Sequence, residues 1–348
     1  MNANYFQRVS ATTPTTLWIN NVTREEAQLA IESGAIGCTQ NPSFPWKMLC
    51  DPVDGPYAKQ LLDDILLKEE DDDRALAQLQ CELVKNICQY FLPMFVSSGG
   101  KQGWVSIQGD PFKEDVASIL EFARYHRQAA PNVIAKIPVT KDGLEAMRIL
   151  VREHVPVLAT EVMAVDQALD VCDLYSEETA RMENPPAMYL AHIAGIFDEH
   201  LQITVEKEAI EVSRDALWQA GIAAAKKIYE LMLYKRSDVK FLSGGARGLQ
   251  HFTEMVGANS SVTINWKNTA DKLIETDPPV VQRFLTHTPY NVIDELLAKV
   301  EDFRKAYIPK SLKQEDYEHF GPVVLFRNAF ESAWINCKNY IEKRRKEL

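Results

Sequence analysis

Several features that mark specialised classes of protein are missing from these 348 residues. The six cysteines are scattered, without a C-x-x-C pair or a cysteine/histidine cluster at zinc spacing, so we predict no metal site. No stretch approaches 18 uninterrupted apolar residues, and the polar N-terminus lacks an apolar signal core. We therefore expect neither a membrane span nor a signal peptide. Reduced thiols and a cytoplasmic location are the simplest expectation for a chain long enough to fold without disulfides.

The chain also lacks an excess of positive charge, because 49 acidic residues outnumber 38 lysines and arginines and the formal net charge is -11. This balance argues against a general nucleic-acid binder and against attachment to an anionic membrane. It does not exclude small anionic substrates, which need only one or two local cations. Hydrophobic residues make up 46% and charged residues 25%, as in soluble globular proteins. Since no Gly/Ser linker or low-complexity segment interrupts the chain, we predict one domain over residues 1–348.

Short β-like runs alternate with helical patterns along most of the sequence. Such alternation indicates parallel strands joined by right-handed crossovers, and eight strands predict a closed (β/α)8 TIM barrel, an α/β fold. The predicted strands are 15–20, 35–39, 103–108, 133–137, 155–160, 187–193, 239–243 and 261–264. A doubly wound open sheet is the alternative, although no G-x-G-x-x-G follows the first strand. We expect the barrel to span about 15–275.

A helical extension is predicted after the barrel, over about 276–348, with helical patterns at 292–306 and 324–346. It ends in the basic run 343–346, which we interpret as complementing the dipole of the final helix rather than as a nucleic-acid arm. The extension is a plausible contact surface for a homo-oligomer. A second charged run, at 68–74, is predicted to begin or cap the long third helix on its solvated side.

Lys136 is the least expected residue in the pattern, since it lies in the apolar, β-branched strand 133–137. Desolvation there would favour the neutral amine, which attacks carbonyl carbons to form Schiff bases. The alternative is an edge-strand lysine whose stem covers apolar surface while its ammonium group stays in water. Lys136 is therefore a candidate nucleophile whose role depends on its neighbours.

Strand periodicity groups other polar residues with this lysine. When alternate residues are assigned to opposite faces, one face of each clear strand is fully apolar and suits the helix layer. The other face ends in a polar residue, namely Asn20, Gln108, Lys136 or Thr160, and Asn41 lies just beyond strand two. The C-terminal ends of barrel strands carry the catalytic groups of barrel enzymes. These five side chains are thus predicted to converge at the barrel mouth.

The same segments resemble the transaldolase family and its fructose-6-phosphate aldolase branch. The resemblance covers about residues 15–275 and is most specific where K-I-P-x-T and Q-N-P-S occur together. The matching segments are L-W-I-N at 17–20, G-C-T-Q-N-P-S at 37–43, V-I-A-K-I-P-V-T at 133–140, V-L-A-T at 157–160 with Q-A at 167–168, and G-G-A-R at 244–247. The family consists of Schiff-base enzymes on a (β/α)8 barrel, so the resemblance implies the same fold and chemistry.

The resemblance implies four catalytic positions and a cofactor-free reaction. Lys136 falls at the Schiff-base lysine and Thr160 at the family threonine. Thr160 and Gln108 would hold the catalytic water, and Asn20 occupies the position of the acid/base aspartate. The iminium on the lysine would accept the electrons of the breaking C3–C4 bond, so neither a metal nor an organic cofactor is required.

Substrate binding is implied at three further positions. Asn41, together with Asn20, would hydrogen-bond sugar hydroxyls, and Arg247 would pair with an anionic tail beside Ser243. The implied partner is therefore a small sugar or sugar phosphate, without nucleic acid or membrane.

The departures from the family pattern concern proton transfer and phosphate binding. An amide at Asn20 cannot exchange a proton near neutral pH. The strand-three glutamate of transaldolases is Gln108 here, as in the aldolase branch. Asp110 is a candidate to replace the missing carboxylate, although a loop or helix-cap aspartate beside a proline is the more ordinary interpretation. Ile196 replaces a second phosphate-binding arginine, which should weaken phosphate recognition.

His192 stands at a family proline position, and Ile193 replaces an aromatic residue beside it. Strand parity predicts that His192 faces away from the mouth and is structural. A shift in register by one residue would instead present it as a general base.

Three functions follow from these observations. The leading hypothesis is a transaldolase-like transferase that moves a dihydroxyacetone unit from a ketose donor to an aldehyde acceptor through a lysine iminium and enamine. Simple aldol cleavage, without an acceptor, is the second. A barrel that binds sugars but has lost turnover is the third, motivated by Asn20 and Ile196.

Overall fold

Eight parallel strands close into a barrel in the computed structural model, which describes residues 3–348. Each strand pairs with the next, and the last pairs with the first, so the predicted (β/α)8 barrel is confirmed and the open sheet is excluded. The strands are β1 Thr16–Asn20, β2 Ala35–Thr39, β3 Trp104–Ile107, β4 Val133–Pro138, β5 Val157–Val162, β6 Met188–His192, β7 Lys240–Ser243 and β8 Ser261–Asn265.

Helices surround the barrel and continue beyond it. They are α1 Tyr5–Thr12, α2 Arg24–Glu32, α3 Phe44–Cys50, α4 Gly55–Leu66, α5 Asp72–Ser97, α6 Val116–Arg127, α7 Lys141–Arg152, α8 Val165–Thr179, α9 Ala194–Glu208, α10 Arg214–Tyr234, α11 Gln250–Thr253, α12 Asp271–Thr276, α13 Tyr290–Lys299, α14 Glu301–Tyr307 and α15 Gly321–Glu347. A π-type turn, Trp266–Ala270, follows β8, and a 3-10 turn, Gln314–His319, precedes α15. Within the described part of the chain, no helix combines the length and apolarity needed to cross a bilayer.

The two faces of the strands separate as the period-two pattern predicts. Trp18, Ile134, Leu158 and Tyr189 belong to the cluster that fills the barrel, and the ring centroids of Trp18 and Tyr189 lie 5.1 Å apart. The alternate, fully apolar residues of the same strands pack against the helices. This division leaves the last inward position of each strand at the mouth of the barrel.

Helix α5 begins where the charged run predicts a helix start. The Asp71 carboxylate accepts a hydrogen bond from the backbone N–H of Arg74, and Asp72 and Asp73 occupy the first turn. Acidic groups at this end satisfy free N–H groups and complement the positive end of the helix dipole. The prediction that 68–74 caps this helix is therefore confirmed.

Strand β5 differs from the prediction at its C-terminal end. It continues two residues beyond Thr160, and its register with β6 shifts between Ala159 and Val162. Glu161 has φ +60°, a left-handed conformation that non-glycine residues seldom adopt. The alternation of side chains is thus broken after Thr160, beyond the end of the predicted strand, and the Glu161 side chain does not continue it.

The C-terminal extension is helical, with one difference from the prediction. The pattern at 292–306 forms two helices, α13 and α14, because Val300 has extended backbone between them. The final helix, α15, is longer than predicted and crosses the barrel mouth, where Phe326 and Phe330 reach the cavity.

The basic residues near the end of α15 bind acidic groups of the barrel's helix layer. Arg344 donates to both carboxylate oxygens of Asp63 on α4, at 2.7 and 2.8 Å. Arg345 donates to Asp72 at the start of α5, at 2.7 Å. Cationic charge in this last turn also suits the helix dipole, but its main contacts are these ion pairs, which attach α15 to the barrel.

Candidate functional site

A cavity of about 180 Å³ opens at the C-terminal ends of the strands. The strands and their following loops form its wall, and α15 covers one side. Its lining includes Asn20, Thr39, Asn41, Ser43, Lys136, Leu158, Thr160, Ala191, Ile193, Leu242, Arg247, Thr263, Asn265, Phe326, Ala329 and Phe330. Five of the seven residues predicted to form the site, Asn20, Asn41, Lys136, Thr160 and Arg247, thus border one cavity.

Lys136 lies at the inward-facing position of β4 and is almost completely buried. Burial lowers the pKa of its amine to about 8, against an opposing effect of the Glu161 charge. Its Nζ atom lies 5.5 Å from the centroid of the Phe330 ring, at cation–π distance. A lysine in this setting carries a larger neutral fraction near neutral pH than an exposed one, as a carbonyl-attacking amine requires.

Asn20 is held in a chain of polar side chains at the cavity wall. Its Nδ2 donates to Oδ1 of Asn265, and its Oδ1 accepts from Oγ1 of Thr39, both at 2.9 Å. The Thr39 hydroxyl also lies 2.7 Å from that of Thr263. This chain fixes the amide of Asn20 beside the cavity, where it can contact a ligand but cannot transfer a proton near neutral pH.

Thr160 and Gln108 occupy different surroundings. Thr160 borders the cavity, and among residues 3–348 its buried hydroxyl has no hydrogen-bond partner. Gln108 does not border the cavity; its Nε2 donates to Oε1 of Glu161 at 2.9 Å, and Gln80 donates to its backbone oxygen. Gln108 therefore holds a carboxylate at this end of the barrel.

Glu161 is the carboxylate that the sequence analysis missed at the barrel mouth. It is completely buried, and burial raises the pKa of its carboxyl group while the hydrogen bond from Gln108 and the charge of Lys136 oppose that shift. The predicted strand ended at residue 160, and continued alternation would have placed Glu161 in the helix layer; the left-handed backbone at this residue instead directs its side chain to Gln108. The signal that singled out Lys136, a charge in an apolar run, applies equally to Glu161 within residues 155–165.

A second buried carboxyl group, Glu114, precedes α6 and faces the final helix. Its Oε2 atom lies 3.9 Å from Nη1 of Arg327, and Arg327 lies 3.8 Å from Glu331 on the same helix. Burial, followed by repulsion from Glu161, raises the pKa of Glu114 to about 9. This shift favours the protonated form of Glu114 and so limits the negative charge around Glu161.

The three predicted substrate-binding residues are placed differently. Asn41 lines the cavity, and its Oδ1 accepts from Nδ2 of Asn21 at 2.9 Å and from the backbone N–H of Ser43 at 3.0 Å. Arg247 is half exposed at the rim, where its Nε donates to Glu199 at 2.6 Å. Ser243 ends β7 and is buried, but it does not border the cavity.

Hydrogen bonds through His251 and Asp198 hold the loop that carries Arg247. The Arg247 backbone N–H donates to Nδ1 of His251 at 3.2 Å, and Nε2 of His251 lies 2.9 Å from Oδ2 of Asp198. Asp198 also accepts a hydrogen bond from the backbone N–H of Gly221 on α10. This buried chain connects β7's loop with α9 and α10 and so positions the rim arginine.

His192 faces away from the mouth, as strand parity predicts. It is completely buried, with Nδ1 2.9 Å from the Val162 carbonyl and Nε2 3.2 Å from the Gly221 carbonyl. Burial lowers its pKa to about 4, so the ring is neutral near neutral pH and donates to one carbonyl at a time. It joins β6 to α10 rather than lining the cavity.

Asp110 and Ile196 also lie outside the cavity wall. Asp110 accepts a hydrogen bond from the Phe112 backbone N–H and lines a small space between β3, β4 and α6 that Lys136 and Gln108 also border. Ile196 is buried against the Gly245 backbone in the loop after β7. Across residues 3–348 no group of three or more histidine, cysteine or acidic side chains is arranged to bind a metal.

Comparisons with known proteins agree with this architecture. The chain is 25% identical over 251 residues to a transaldolase of Thiobacillus denitrificans, covering 67% of this chain and 68% of that protein. It is 27% identical over 228 residues to a transaldolase of Mycobacterium ulcerans, covering 61% and 60%. The match thus spans about three fifths of the mycobacterial protein's length.

A solved structure of an IMP dehydrogenase/GMP reductase-like protein from Corynebacterium glutamicum is a more distant likeness. It covers 91% of this chain and 83% of its own, with 14% identity and a TM-score of 0.37, which is too low to bear on function. The sequence model of Transaldolase/Fructose-6-phosphate aldolase, by contrast, matches residues 17–320, from the first strand to the start of the final helix. The chain belongs to the transaldolase/fructose-6-phosphate aldolase family.

Proposed function

We propose that this protein is a Schiff-base transferase that moves a dihydroxyacetone unit from a ketose, or ketose phosphate, to an aldehyde acceptor. The observation that carries the proposal is Lys136, a buried amine that borders a cavity at the C-terminal mouth of a (β/α)8 barrel. Family membership supports aldol-type chemistry on sugars, and the lysine supplies the nucleophile.

The reaction begins when the neutral amine of Lys136 attacks the C2 carbonyl of the ketose and loss of water leaves an iminium ion. The iminium accepts the electron pair of the C3–C4 bond as the C4 hydroxyl loses its proton. An aldehyde departs, and the enamine adds to a second aldehyde. The low-polarity surroundings from Leu158, Ile193 and Phe330 favour the neutral amine and keep bulk water from the enamine.

Polar groups on one side of the cavity match the hydroxyls of the donor. Asn20, Asn41 and Thr160 border the space next to Lys136, and the Thr160 hydroxyl has no partner among the residues described. Buried polar atoms of this kind favour ligands that complete their hydrogen bonds. We assign Asn20 and Asn41 to the sugar hydroxyls, and Thr160 to the water that carries protons.

The rim carries one arginine for an anionic tail. Arg247 is already paired with Glu199, and Ile196 stands where family members have a second arginine. A phosphate would therefore displace the Glu199 contact and find one guanidinium instead of two. We expect phosphorylated donors to be preferred only modestly over non-phosphorylated ones.

The proposal is tested by sodium borohydride reduction with fructose 6-phosphate, fructose and dihydroxyacetone, each in a separate reaction, followed by peptide mass spectrometry. We expect a reduced three-carbon adduct on Lys136 in the wild type and none in Lys136→Arg, which keeps a positive charge but cannot form the imine. Absence of an adduct with every ketose would contradict a Schiff-base function.

Two further measurements separate the alternative functions. Release of free dihydroxyacetone without an acceptor aldehyde would identify simple cleavage, whereas dependence on added glyceraldehyde 3-phosphate identifies transfer. Sugar binding by calorimetry that survives in Lys136→Ala, with no turnover in the wild type, would identify a catalytically impaired binding protein.

A further inference from the structure

We infer that Glu161 is the proton-transfer residue of this site and exchanges protons with the nitrogen of Lys136 and the substrate oxygens beside it. The inference rests on the proposed Schiff-base function and deepens it. It answers a chemical need, because aldol chemistry requires a group that gives and takes protons, and Asn20 cannot.

The backbone of β5 directs Glu161 toward Gln108, which borders the same small space as Lys136. A left-handed residue at φ +60° and a shift in register interrupt the strand directly after Thr160. Such strained geometry costs free energy, of the order of 1 kcal/mol, and persists where the surrounding structure holds it in place. Here it turns an acidic side chain out of the helix layer toward the end of β3.

The carboxyl group is held at one oxygen and unpartnered at the other. Oε1 accepts the 2.9 Å hydrogen bond from Nε2 of Gln108. Oε2 is completely buried and, over residues 3–348, has no hydrogen-bond partner. A buried oxygen without a hydrogen-bond partner costs free energy of folding. A proton, a water or a substrate hydroxyl would supply the missing partner.

The charges around Glu161 come from three elements. The charges of Lys136 on β4 and of Arg327 and Glu331 on α15 all act on the Glu161 carboxyl group. Glu114, which precedes α6 and has Asp110 nearby, completes the set. Burial disfavours the charged forms of Lys136 and Glu161, whereas the charge of each group favours the charged form of the other, so the two groups titrate as a pair.

The reaction starts from the form of the pair in which Lys136 is a neutral amine and Glu161 is a carboxylic acid. During imine formation the amine bonds to C2 and the carbinolamine loses its hydroxyl group, which takes the Glu161 proton and leaves as water. The products are an iminium cation on Lys136 and a carboxylate on Glu161. The carboxylate thus appears as the counter-charge of the iminium at the moment when a buried cation forms.

Cleavage of the C3–C4 bond then neutralises both the iminium and the carboxylate. The C4 hydroxyl gives its proton to the Glu161 carboxylate, directly or through one water, while its oxygen forms the aldehyde C=O bond. The C3–C4 electron pair moves to the iminium carbon and neutralises the nitrogen. The site then holds a neutral enamine and a neutral acid, ready to return the proton when the enamine adds to the acceptor.

Asp110 is the competing carboxylate near this region. Its carboxylate already accepts the Phe112 backbone N–H, and its Oδ2 lies 3.9 Å from Lys113 Nζ. It lines the small space between β3, β4 and α6, which Lys136 and Gln108 also border, and not the larger cavity at the barrel mouth. These contacts describe a loop-capping aspartate, and Asp110→Asn therefore serves as the matched control.

The experiment compares wild type, Glu161→Gln, Glu161→Asp and Asp110→Asn in two assays. The first follows turnover of fructose 6-phosphate with glyceraldehyde 3-phosphate. The second follows the pH dependence of Lys136 methylation by formaldehyde and cyanoborohydride in the absence of sugar. Glutamine keeps the acceptor for Gln108, and aspartate keeps a carboxyl group in a residue that tolerates left-handed backbone.

We expect Glu161→Gln to lower turnover by 10²- to 10⁴-fold while its methylation profile moves to lower pH, since a nearby negative charge no longer holds the proton on Lys136. Glu161→Asp should recover part of the turnover, and Asp110→Asn should behave as wild type. If Lys136 is methylated at lower pH while turnover falls, the lost turnover results from impaired proton transfer. A general loss of structure would impair both.

Two results would overturn the inference. One is turnover in Glu161→Gln within threefold of wild type, and the other is a large loss in Asp110→Asn with Glu161→Gln unaffected. Both differ from failure of the proposed function, which would show as no borohydride adduct on Lys136 in the wild type itself.

Discussion

The amine of Lys136 lies 5.5 Å from the ring centroid of Phe330, a residue of the last helix almost 200 positions later in the chain. The ring is buried, and it contacts Phe326 with centroids 4.4 Å apart. Since burial is what lowers the pKa of the lysine, the final helix takes part in setting the reactivity of a residue on β4. Attachment of α15 through Arg344 and Arg345 thereby bears on the chemistry of the site.

Phe330→Ala should expose Lys136 to water and raise its pKa from about 8 toward that of an exposed lysine, because desolvation is the main cause of the shift. We expect the pH profile of reductive methylation to move up by about one unit, with a loss of stability of roughly 3 kcal/mol for the buried ring. Phe330→Leu, which keeps the site dry, is the control. An unchanged profile in Phe330→Ala would show that the ring does not determine the amine's pKa.

Lys136→Met should stabilise the fold while abolishing adduct formation. A lysine whose folded pKa is about 8 binds its proton less well in the folded than in the unfolded chain, so it destabilises the fold at lower pH. The gain on replacement should approach about 3 kcal/mol below pH 8 and shrink as the pH rises toward 10.5. Urea unfolding at pH 7 and pH 10 measures this difference, and a loss of stability at pH 7 would contradict it.

His126 should make the protein sensitive to acid. This buried residue of α6 has its pKa lowered to about 3 by desolvation, so the unfolded chain binds a proton that the folded chain does not between pH 6.5 and 3. Stability should therefore fall as the pH falls through this window. Between pH 8 and pH 5, the free energy of unfolding of His126→Leu should fall by about 2 kcal/mol less than that of the wild type. Equal pH dependence in the two proteins would rule out this contribution.

Arg247 should distinguish phosphorylated from non-phosphorylated donors. Its guanidinium is half exposed and paired with Glu199 at the rim. Arg247→Ala should raise KM for fructose 6-phosphate by about five- to tenfold with little change for fructose, consistent with one partly exposed ionic contact. Glu199→Gln should lower KM for the phosphorylated sugar, because the arginine no longer has to leave a carboxylate. Equal effects on both sugars would show that Arg247 does not contact the phosphate.

The ion pair between Arg344 and Asp63 should contribute to holding the final helix in place. In Arg344→Gln we expect faster amide hydrogen exchange along α15 and a fall in turnover, because Phe326 and Phe330 lie on the same helix. The effect should diminish at high salt, which already weakens the wild-type pair. A double-mutant cycle with Asp63→Asn checks that the loss belongs to this pair. If the effects of the two single substitutions are additive, the loss does not come from this ion pair.

Much of the fold could be predicted because its signals are local. Alternation of strands and helices gave the barrel, and the period-two pattern placed Trp18, Ile134 and Leu158 inside it. The acidic run before α5 marked a helix start through capping that depends only on neighbouring residues. The break between α13 and α14 was missed, because the extended backbone at Val300 has no proline or glycine to announce it.

The candidate site was predicted where strand parity holds and missed where it fails. Asn20, Lys136 and Thr160 reach the cavity from their predicted positions, whereas Gln108 turns to bind Glu161 instead. Glu161 was not predicted because it lies one residue beyond the predicted strand and because its left-handed backbone interrupts the side-chain alternation. Only tertiary contacts hold a glutamate in that conformation, so the period of the strand could not reveal it.

The sequence by itself thus determined the barrel, the family and the lysine that faces its mouth, since each depends on local periodicity or a short motif. The tertiary structure decided what surrounds that lysine. It brought Glu161 from a disturbed strand, Gln108 from β3 and Phe330 from the last helix toward one buried amine. The physical reason is that the lysine's pKa depends on burial and nearby charge, which come from residues far apart in the chain.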